Sequence, residues 1–352
     1  MPGVIMTTIY SLSQLGWSPF FQQQLSLDEW QHYRPARVAA QHRSHFELLT
    51  EQGHINLAVS PQLPTITVGD WLLLDSEEQV YRALTRLSEF TRKAAGSQAS
   101  LQYLAANVDT VFITCSLNED FNLNRIERYL ALVKAANAEA VVVLTKADLC
   151  DNPAHYQEQV QQLDALLLVE TVDARSSTCI EVLRPWCKQG KTVAFFGSSG
   201  VGKSTLVNTL SGVDQQTTGA IRQNDGKGRH TTTSRSLLPT RSGALILDTP
   251  GMRELQLVDC EQGVQQAFAD IDALAQQCKY ADCTHSNEPG CAVLSAIDDG
   301  RLAARRLANY QKLLREQAFN TATLAQRREQ ERNFTRYCRS VMKEVKLRRK
   351  GD

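Results

Sequence analysis

The feature that most constrains the fold of this chain is the run Gly197-Ser198-Ser199-Gly200-Val201-Gly202-Lys203-Ser204. It has the spacing G-x-x-x-x-G-K-S, and it lies between an apolar run that predicts a strand (192–196) and a helical pattern that begins at Thr205. Glycines at these positions let backbone N–H groups converge on phosphate oxygens, while Lys203 neutralises charge and Ser204 offers its hydroxyl to Mg²⁺. The sequence therefore predicts an α/β nucleotide-binding fold with its phosphate site at residues 197–205.

A second motif precedes this phosphate loop by about fifty residues, and it reads Thr145-Lys146-Ala147-Asp148. The carboxylate of Asp148 can accept hydrogen bonds from N1 and N2 of guanine, a pattern that adenine does not offer, and Lys146 can lie over the base plane. The motif follows the apolar run 140–144, so it favours GTP over ATP. In an ordinary GTPase this motif comes after the phosphate loop. The reversed order therefore predicts a circularly permuted GTPase. Ala174 is the candidate for the second base-contacting loop, because Val172-Asp173-Ala174-Arg175 stands where Ser-Ala would be typical.

The segment after the phosphate loop holds candidates for Mg²⁺ binding and for sensing the γ-phosphate. The apolar run 244–247 ends at Asp248-Thr249-Pro250-Gly251, where Asp248 can hold Mg²⁺ through water and the N–H of Gly251 can contact the γ-phosphate. The polar segment between contains Gly228-Arg229-His230-Thr231-Thr232-Thr233. It suits a switch loop in which a threonine completes the metal shell. From Thr233 onward the sequence also predicts a threonine-rich strand of a β-hairpin.

Three of the nine cysteines and one of the seven histidines form the cluster Cys278-x₄-Cys283-x-His285-x₅-Cys291. Three thiolates and one imidazole complete the tetrahedral coordination of a structural zinc ion and leave no position for a catalytic water. Free thiols in a loop are the alternative. The pattern predicts one structural Zn²⁺ in a module with little core of its own.

The 352 residues are too many for one ordinary core and divide into four predicted parts. These are an N-terminal extension without an assigned role (1–35), an OB-fold β-barrel of five short strands (36–97), the circularly permuted P-loop GTPase domain (98–257), and a C-terminal zinc-binding α-helical domain with a basic helical segment (258–352). An SH3-like barrel that contacts only proteins would leave the same pattern. RNA contact is favoured on four arginines of the barrel: Arg37, Arg43, Arg82 and Arg86.

The formal net charge is zero, but the charge is unevenly distributed. Residues 301–352 hold 15 Lys and Arg against 5 Asp and Glu, which suits a basic arm on nucleic acid or, alternatively, a solvated helical face. The sequence shows neither an apolar run of about 18–20 residues nor a basic region followed by an apolar core. We therefore expect a cytoplasmic protein without membrane contact.

These motifs together resemble the RsgA (YjeQ) family of GTPases that depend on the small ribosomal subunit, over about residues 36–345. The resemblance implies a monomer that hydrolyses GTP, is stimulated by the 30S subunit and assists its late maturation, with ribosomal RNA held by the barrel and the zinc module. It assigns water positioning to His230, because Met252 stands where other GTPases have a glutamine. Thr232 is the chosen Mg²⁺ ligand, with Thr231 as the alternative that the spacing does not separate from it. Thr145 and Asp173 differ from the commonest family residues.

Two other functions compete with this one, a signalling GTPase whose targets are proteins and an ATP-driven enzyme acting on nucleic acid. The permuted order adds a mechanical hypothesis. Because the chain runs from Asp248–Gly251 into the zinc cluster, the nucleotide state could move an RNA-binding lobe.

Overall fold

Parallel strands with apolar residues on both faces form the central part of the computed structural model, which describes residues 9–93, 101–212, 235–248 and 260–321. Every residue of the strand that starts at Thr110 is buried, and the next strand is buried from Val141 to its end. Such strands need helices on both sheet faces. The elements of this part are β8 (Thr110–Ser116), α3 (Leu123–Ala135), β9 (Glu139–Thr145), a 3₁₀ turn (Ala147–Leu149), α4 (Pro153–Gln161), β10 (Leu168–Thr171), α5 (Thr178–Leu183), β11 (Thr192–Phe196), α6 (Lys203–Ser211), β12 (Arg235–Pro239) and β13 (Leu245–Asp248).

The strand order of this part is β10-β9-β8-β11-β13-β12. The first five strands run parallel, and β12 is antiparallel to β13. The apolar run Leu166-Leu167-Leu168-Val169 predicts a strand from residue 166, but pairing with β9 starts only at Leu168, opposite Val141. Leu166 lies outside the sheet and is 89% exposed.

The N-terminal strands form an antiparallel unit with the order β3-β2-β1-β4-β5. Its inner face buries an apolar cluster that includes Val38, Leu48 and Leu72. The order is compatible with the predicted OB-fold. The strands are β1 (Arg34–Gln41), β2 (His45–Thr50), β3 (Gly53–Ala58), β4 (Trp71–Leu74) and β5 (Val80–Ala83).

Two connections join this unit to the parallel sheet. One is a hairpin of β6 (Glu89–Lys93) and β7 (Leu101–Ala106), which pair antiparallel across the predicted boundary at 97/98. The other is a short antiparallel contact of β1 with β12, at Ala40 opposite Ser236 and Gln41 opposite Arg235. The sheet is therefore continuous from the nucleotide-binding strands into the N-terminal unit.

Residues 9–33 pack against the outer face of the N-terminal unit and contain α1 (Pro19–Gln22) and α2 (Leu27–His32). Leu15 is fully buried, and the ring of Trp17 meets that of Trp71 edge-on at 4.9 Å. The guanidinium of Arg37 donates to the carbonyl of Leu15 and, over 2.7 Å, to the hydroxyl of Thr192 in β11. The described part of the N-terminal extension thus belongs to the folded core.

The C-terminal helices α7 (Glu261–Ala267), α8 (Ala269–Ala275), α9 (Ala292–Asp298) and α10 (Ala304–Thr321) pack on the α3 side of the sheet. Gly263 permits this close approach, because a Cβ there would lie 2.3 Å from the carbonyl oxygen of Ala131 in α3. No helix among the residues described is long and apolar enough to cross a bilayer.

A buried ionic network also fixes α10 to α3. The carboxylate of Glu127 is fully buried and accepts hydrogen bonds from Arg305, Arg306 and Asn309 of α10. Arg306 also bonds both carboxylate oxygens of Asp270 at 2.7 Å. Burial alone would lower the pKa of Arg306, but its bonds and the charges of Asp270 and Glu127 raise it overall. The described C-terminal helices are thus tied to the nucleotide-binding part.

Candidate nucleotide site and metal centre

The predicted phosphate and base motifs meet at the carboxyl edge of the parallel sheet. The phosphate loop follows β11, and the base motif begins at the last residue of β9. These two strands lie on either side of β8. The crevice beyond the carboxyl ends of such strands is the usual ligand position in open α/β sheets.

The glycines of the phosphate loop adopt conformations that other residues rarely take. Gly197 has φ 144°, and a Cβ there would lie 2.3 Å from the carbonyl oxygen of Thr114 in β8. Gly202 has φ 97° and immediately precedes α6. The loop therefore presses against the neighbouring strand and turns directly into the helix, so backbone N–H groups can face a phosphate.

Lys203 is 8% exposed and bends back over the loop. Its ammonium group donates to the carbonyl of Gly197 at 2.7 Å and to that of Ser198. Ser204 and Thr205 follow in the first turn of α6, half-buried, whereas Ser199 and Gly200 at the loop tip are exposed. The lysine charge is thus already held at the centre of the loop.

Thr145 joins the base motif to the phosphate loop. Its side chain is fully buried, and its hydroxyl lies 2.6 Å from the carbonyl oxygen of Val201 and 3.4 Å from that of Cys115. This threonine therefore bonds the loop backbone from the position where the commoner residue is asparagine. The two motifs are positioned relative to each other by a hydrogen bond as well as by the sheet.

The rest of the base motif is more accessible. Lys146 adopts a left-handed conformation with φ 59°, Ala147 begins the 3₁₀ turn, and Asp148 is exposed. The N–H of Ala147 points to the carbonyl of Val172 in the following loop. An exposed carboxylate after this sharp turn is free to meet an incoming base.

The loop that contains Ala174 lies against both motifs. Ala174 is buried, and a Cβ on Gly202 would lie 3.9 Å from its Cβ and 3.7 Å from the hydroxyl of Thr145. Thr209 of α6 donates to the carbonyl of Ala174 at 2.8 Å. Asp173 stabilises a turn in this loop, because its carboxylate accepts a hydrogen bond from the N–H of Arg175 at 2.9 Å. The structure thus brings Ala174 together with Gly202 and Thr145.

The remaining candidates of the nucleotide site are only partly described. The backbone of Asp248 ends β13, beside β11, which carries the phosphate loop. His230, Thr232 and Gly251 lie outside the described residues. Their predicted roles stay predictions.

The four residues of the predicted zinc cluster come together, with their ligand atoms all within 4.8 Å of one another. A tetrahedral ion with Zn–S of about 2.3 Å and Zn–N of about 2.0 Å has S–S edges of about 3.8 Å and S–N edges of about 3.5 Å. The Sγ atoms of Cys278 and Cys291 are 3.9 Å apart, and Nδ1 of His285 lies 3.6 and 3.5 Å from them. Cys283 completes the set. The donors and their spacing fit zinc.

The loop of this cluster is held by its own hydrogen bonds. The carboxylate of Glu288 accepts the N–H groups of Thr284 and Ser286, both at 2.8 Å. The hydroxyl of Thr284 and these N–H groups hold the pKa of Glu288 well below its usual range. His285 itself has φ 58°, a left-handed conformation that aims its ring at the thiols.

The arginines of the N-terminal unit do not support the charge argument for RNA contact. Arg37 is 1% exposed, and burial lowers its pKa to about 10. Arg82 pairs with Glu29, and Arg86 pairs with Asp70, each at 2.7 Å. Arg43 alone of the four is exposed. Three of the four arginines are therefore buried or paired with a carboxylate inside the fold, and a sequence does not show these partners.

Two residues that support the nucleotide site were missed from the sequence. Thr209 lies six positions after Lys203, and only the fold brings it to Ala174. Cys115 supplies a carbonyl to Thr145 from the end of β8. Hydrogen bonds of this kind leave no spacing signal in a sequence.

Comparison with known proteins agrees with this geometry. Residues 83–258 match the RsgA GTPase family. The chain is 57% identical over 347 residues to the small ribosomal subunit biogenesis GTPase RsgA 2 of Vibrio parahaemolyticus, which covers 99% of this chain and 97% of the relative. It is also 46% identical over 317 residues to the small ribosomal subunit biogenesis GTPase RsgA of Mesorhizobium japonicum, covering 88% of this chain and 91% of that relative.

Among solved structures, YjeQ from Thermotoga maritima is similar to this chain with a TM-score of 0.61 and 26% identity, covering 81% of this chain and 98% of that one. The structure of YloQ, a circularly permuted GTPase, shares the fold with a TM-score of 0.57. The motif order is that of a circularly permuted GTPase, and the chain belongs to the RsgA GTPase family.

Proposed function

We propose that this protein is a GTP hydrolase that binds the 30S ribosomal subunit, is stimulated by it and assists its late maturation. The observation that supports the proposal is the junction of Gly202, Thr145 and Ala174, where the predicted phosphate loop lies beside the motif predicted to read guanine. The names of the relatives supply the small subunit as the partner.

In this proposal the nucleotide is held by residues of three loops. Lys203 exchanges its two loop carbonyls for β- and γ-phosphate oxygens, and the N–H groups of residues 197–205 bind the phosphates. Asp148 accepts the guanine N–H groups, while Lys146 and Ala174 border the base. Mg²⁺, when bound at Ser204, Thr232 and Asp248, neutralises charge on the phosphates. His230 positions the attacking water, and the N–H of Gly251 contacts the γ-phosphate.

The remaining parts of the proposal concern architecture and partners. Cys278, Cys283, His285 and Cys291 hold one structural zinc ion, which folds the loop before α9. The N-terminal unit is an OB-fold that contacts ribosomal RNA together with the zinc module, and the protein acts as a cytoplasmic monomer. Because Glu127 of α3 binds Arg305 and Arg306 of α10, we expect α10 to move together with α3 when the nucleotide state changes.

GTP hydrolysis measured with and without purified 30S subunits tests this function. We expect the subunit to raise turnover, and we expect His230→Ala to keep nucleotide binding while losing the stimulated turnover. Lys203→Ala is the control for a lost phosphate site. Turnover that is the same with and without the subunit would favour a protein-targeted switch, and protection of the site by ADP as well as by GDP would point to an ATP-driven enzyme.

A further inference from the structure

The tip of the β1–β2 hairpin carries a second group of metal-ligating side chains, far in sequence from the zinc cluster. His42 directly follows β1, His45 begins β2, and Glu47 lies two residues further along β2. Their ligand atoms all lie within 4.8 Å of one another. The nucleotide site and the zinc centre use none of them.

The backbone of the hairpin places all three residues on one face. The N–H of His42 donates to the carbonyl of His45 at 2.9 Å, and Gln41 pairs with Phe46 and Ala40 with Glu47. His42 and His45 therefore stand directly opposite each other across a two-residue turn, Arg43-Ser44. Since side chains alternate along a strand, Glu47 shares the face of His45. The spacing H-x-x-H-x-E on a tight hairpin is thus sufficient to bring the three together.

The side chains then converge on a small volume. Nε2 of His42 lies 2.8 Å from Oε1 of Glu47, and Nε2 of His45 lies 4.0 Å from the same oxygen. The two rings face each other with centroids 4.4 Å apart. Ligands about 2.0–2.1 Å from one ion are separated by about 2.9–3.4 Å, depending on its geometry. The observed separations bracket that range. Because the two rings are nearly parallel, with 15° between their planes, one imidazole must turn out of the stack before both Nε2 atoms can face one ion, and the partial exposure of both side chains leaves room for that rotation.

The donor set selects the kind of ion. Two imidazole nitrogens and a carboxylate oxygen suit first-row divalent ions such as Zn²⁺, Co²⁺, Ni²⁺ or Cu²⁺, whereas Mg²⁺ prefers oxygen ligands alone. Of the nearby arginines, Arg235 is occupied by Gln41 and by the carbonyl of Tyr103, and Arg43 points from the turn as an exposed residue. Three protein ligands leave at least one coordination position for water, unlike the closed zinc centre.

A purely structural role does not account for the group as well. The His42 and Glu47 side chains are 32% and 41% exposed, and surface ion pairs of this kind contribute about 0–1 kcal/mol. The hairpin is already closed by backbone hydrogen bonds and by the buried side chain of Phe46. Folding therefore does not require this arrangement of side chains.

We propose that His42, His45 and Glu47 form a second, exchangeable binding site for a divalent first-row transition-metal ion such as Zn²⁺. The site lies where β1 meets β12, the strand that directly follows residues 213–234 with the predicted switch histidine. An ion there cross-links the ends of β1 and β2 beside that strand.

Isothermal titration with Zn²⁺ tests the proposal on the full chain after dialysis has left it with one tightly bound zinc per molecule. GTP and Mg²⁺ are omitted, so that Zn²⁺ is the only added ion. We expect one further equivalent of Zn²⁺ to bind. His42→Ala or His45→Ala removes a ligand and should weaken binding of the second Zn²⁺. Loss of an outer-shell partner weakens a metal site by about 10–100-fold, and loss of a ligand should weaken it at least as much. Glu47→Gln should weaken it in the same direction.

His155→Ala is the matched control, because His155 is an exposed histidine on α4. It should leave the second equivalent unchanged. GTP hydrolysis and the thermal midpoint of each variant show that the chain remains folded, and Co²⁺ titration should give a ligand-field spectrum without thiolate charge transfer. Uptake of no second equivalent, or of one that the His42 and His45 substitutions leave intact, would overturn the proposal.

Discussion

Replacing Glu127 by glutamine should weaken the attachment of α10 to α3. The carboxylate of Glu127 is fully buried, and its two oxygens accept hydrogen bonds from Arg305 at 2.9 and 3.0 Å and from Arg306 at 2.8 Å. Glutamine removes the charge and turns an NH₂ group toward guanidinium donors. The buried guanidinium of Arg306 would then lose one of its two counter-charges.

The magnitude follows from the burial of each partner. Breaking a buried ion pair by removing one member costs about 3–5 kcal/mol. The Arg305 side chain is 34% exposed, so water screens its share, and Arg306 keeps Asp270 as a partner. We therefore expect the lower end, about 3 kcal/mol, which is roughly a factor of 100 in the opening equilibrium.

Hydrogen exchange measured by mass spectrometry on residues 304–321 is the suitable assay, because a chain with several units need not unfold in one step. Glu181→Gln is the control, since the Arg184–Glu181 pair is 71% and 69% exposed and should contribute about 0–1 kcal/mol. If exchange in α10 changes no more in Glu127→Gln than in Glu181→Gln, the network does not hold the helix and the reasoning from burial is refuted.

Two further substitutions test the packing described above. Leu15→Ala should lower the free energy of unfolding by about 2–5 kcal/mol, because the side chain is fully buried against the N-terminal strands. Urea unfolding measures this loss, with Gln23→Ala at an exposed position as the control. Equal midpoints for the two variants would show that residues 9–33 are not part of the core. Thr145→Val should leave the buried carbonyl of Val201 without its 2.6 Å donor, at a cost of about 1–3 kcal/mol, and should raise the Kd for GDP. Thr145→Ser keeps the hydroxyl, so fluorescence titrations that cannot distinguish the two variants would contradict a bridging role.

The sequence was sufficient to predict the parts of the site that are formed by residues close together in the chain. The phosphate loop lies between β11 and α6 as predicted, because the apolar run, the glycines and the lysine each specify local conformation. The zinc cluster also needs only a short turn around Gly290, whose φ is 80°. In both cases the interacting residues are close in the chain.

Long-range pairing is where sequence reasoning was insufficient. Arg82 and Arg86 appear as surface charge until Glu29 and Asp70 are seen beside them, 53 and 16 residues away. The burial of Arg37 depends on a carbonyl of residue 15 and a hydroxyl of residue 192. Residues 9–33 gave no periodic signal, because their apolar side chains fill gaps on another unit rather than form a face of their own.

The contact between β1 and β12 also protects an open sheet edge. β12 is the outer strand of the nucleotide-binding sheet, and an uncovered outer strand is a template for pairing with another molecule. β1 covers its first two residues, and its last residue, Pro239, has no N–H to donate. A GTPase domain expressed without the N-terminal unit would therefore expose the Arg235–Ser236 edge of β12. We expect such a domain to be less soluble than the full chain, because the exposed edge can pair with another molecule.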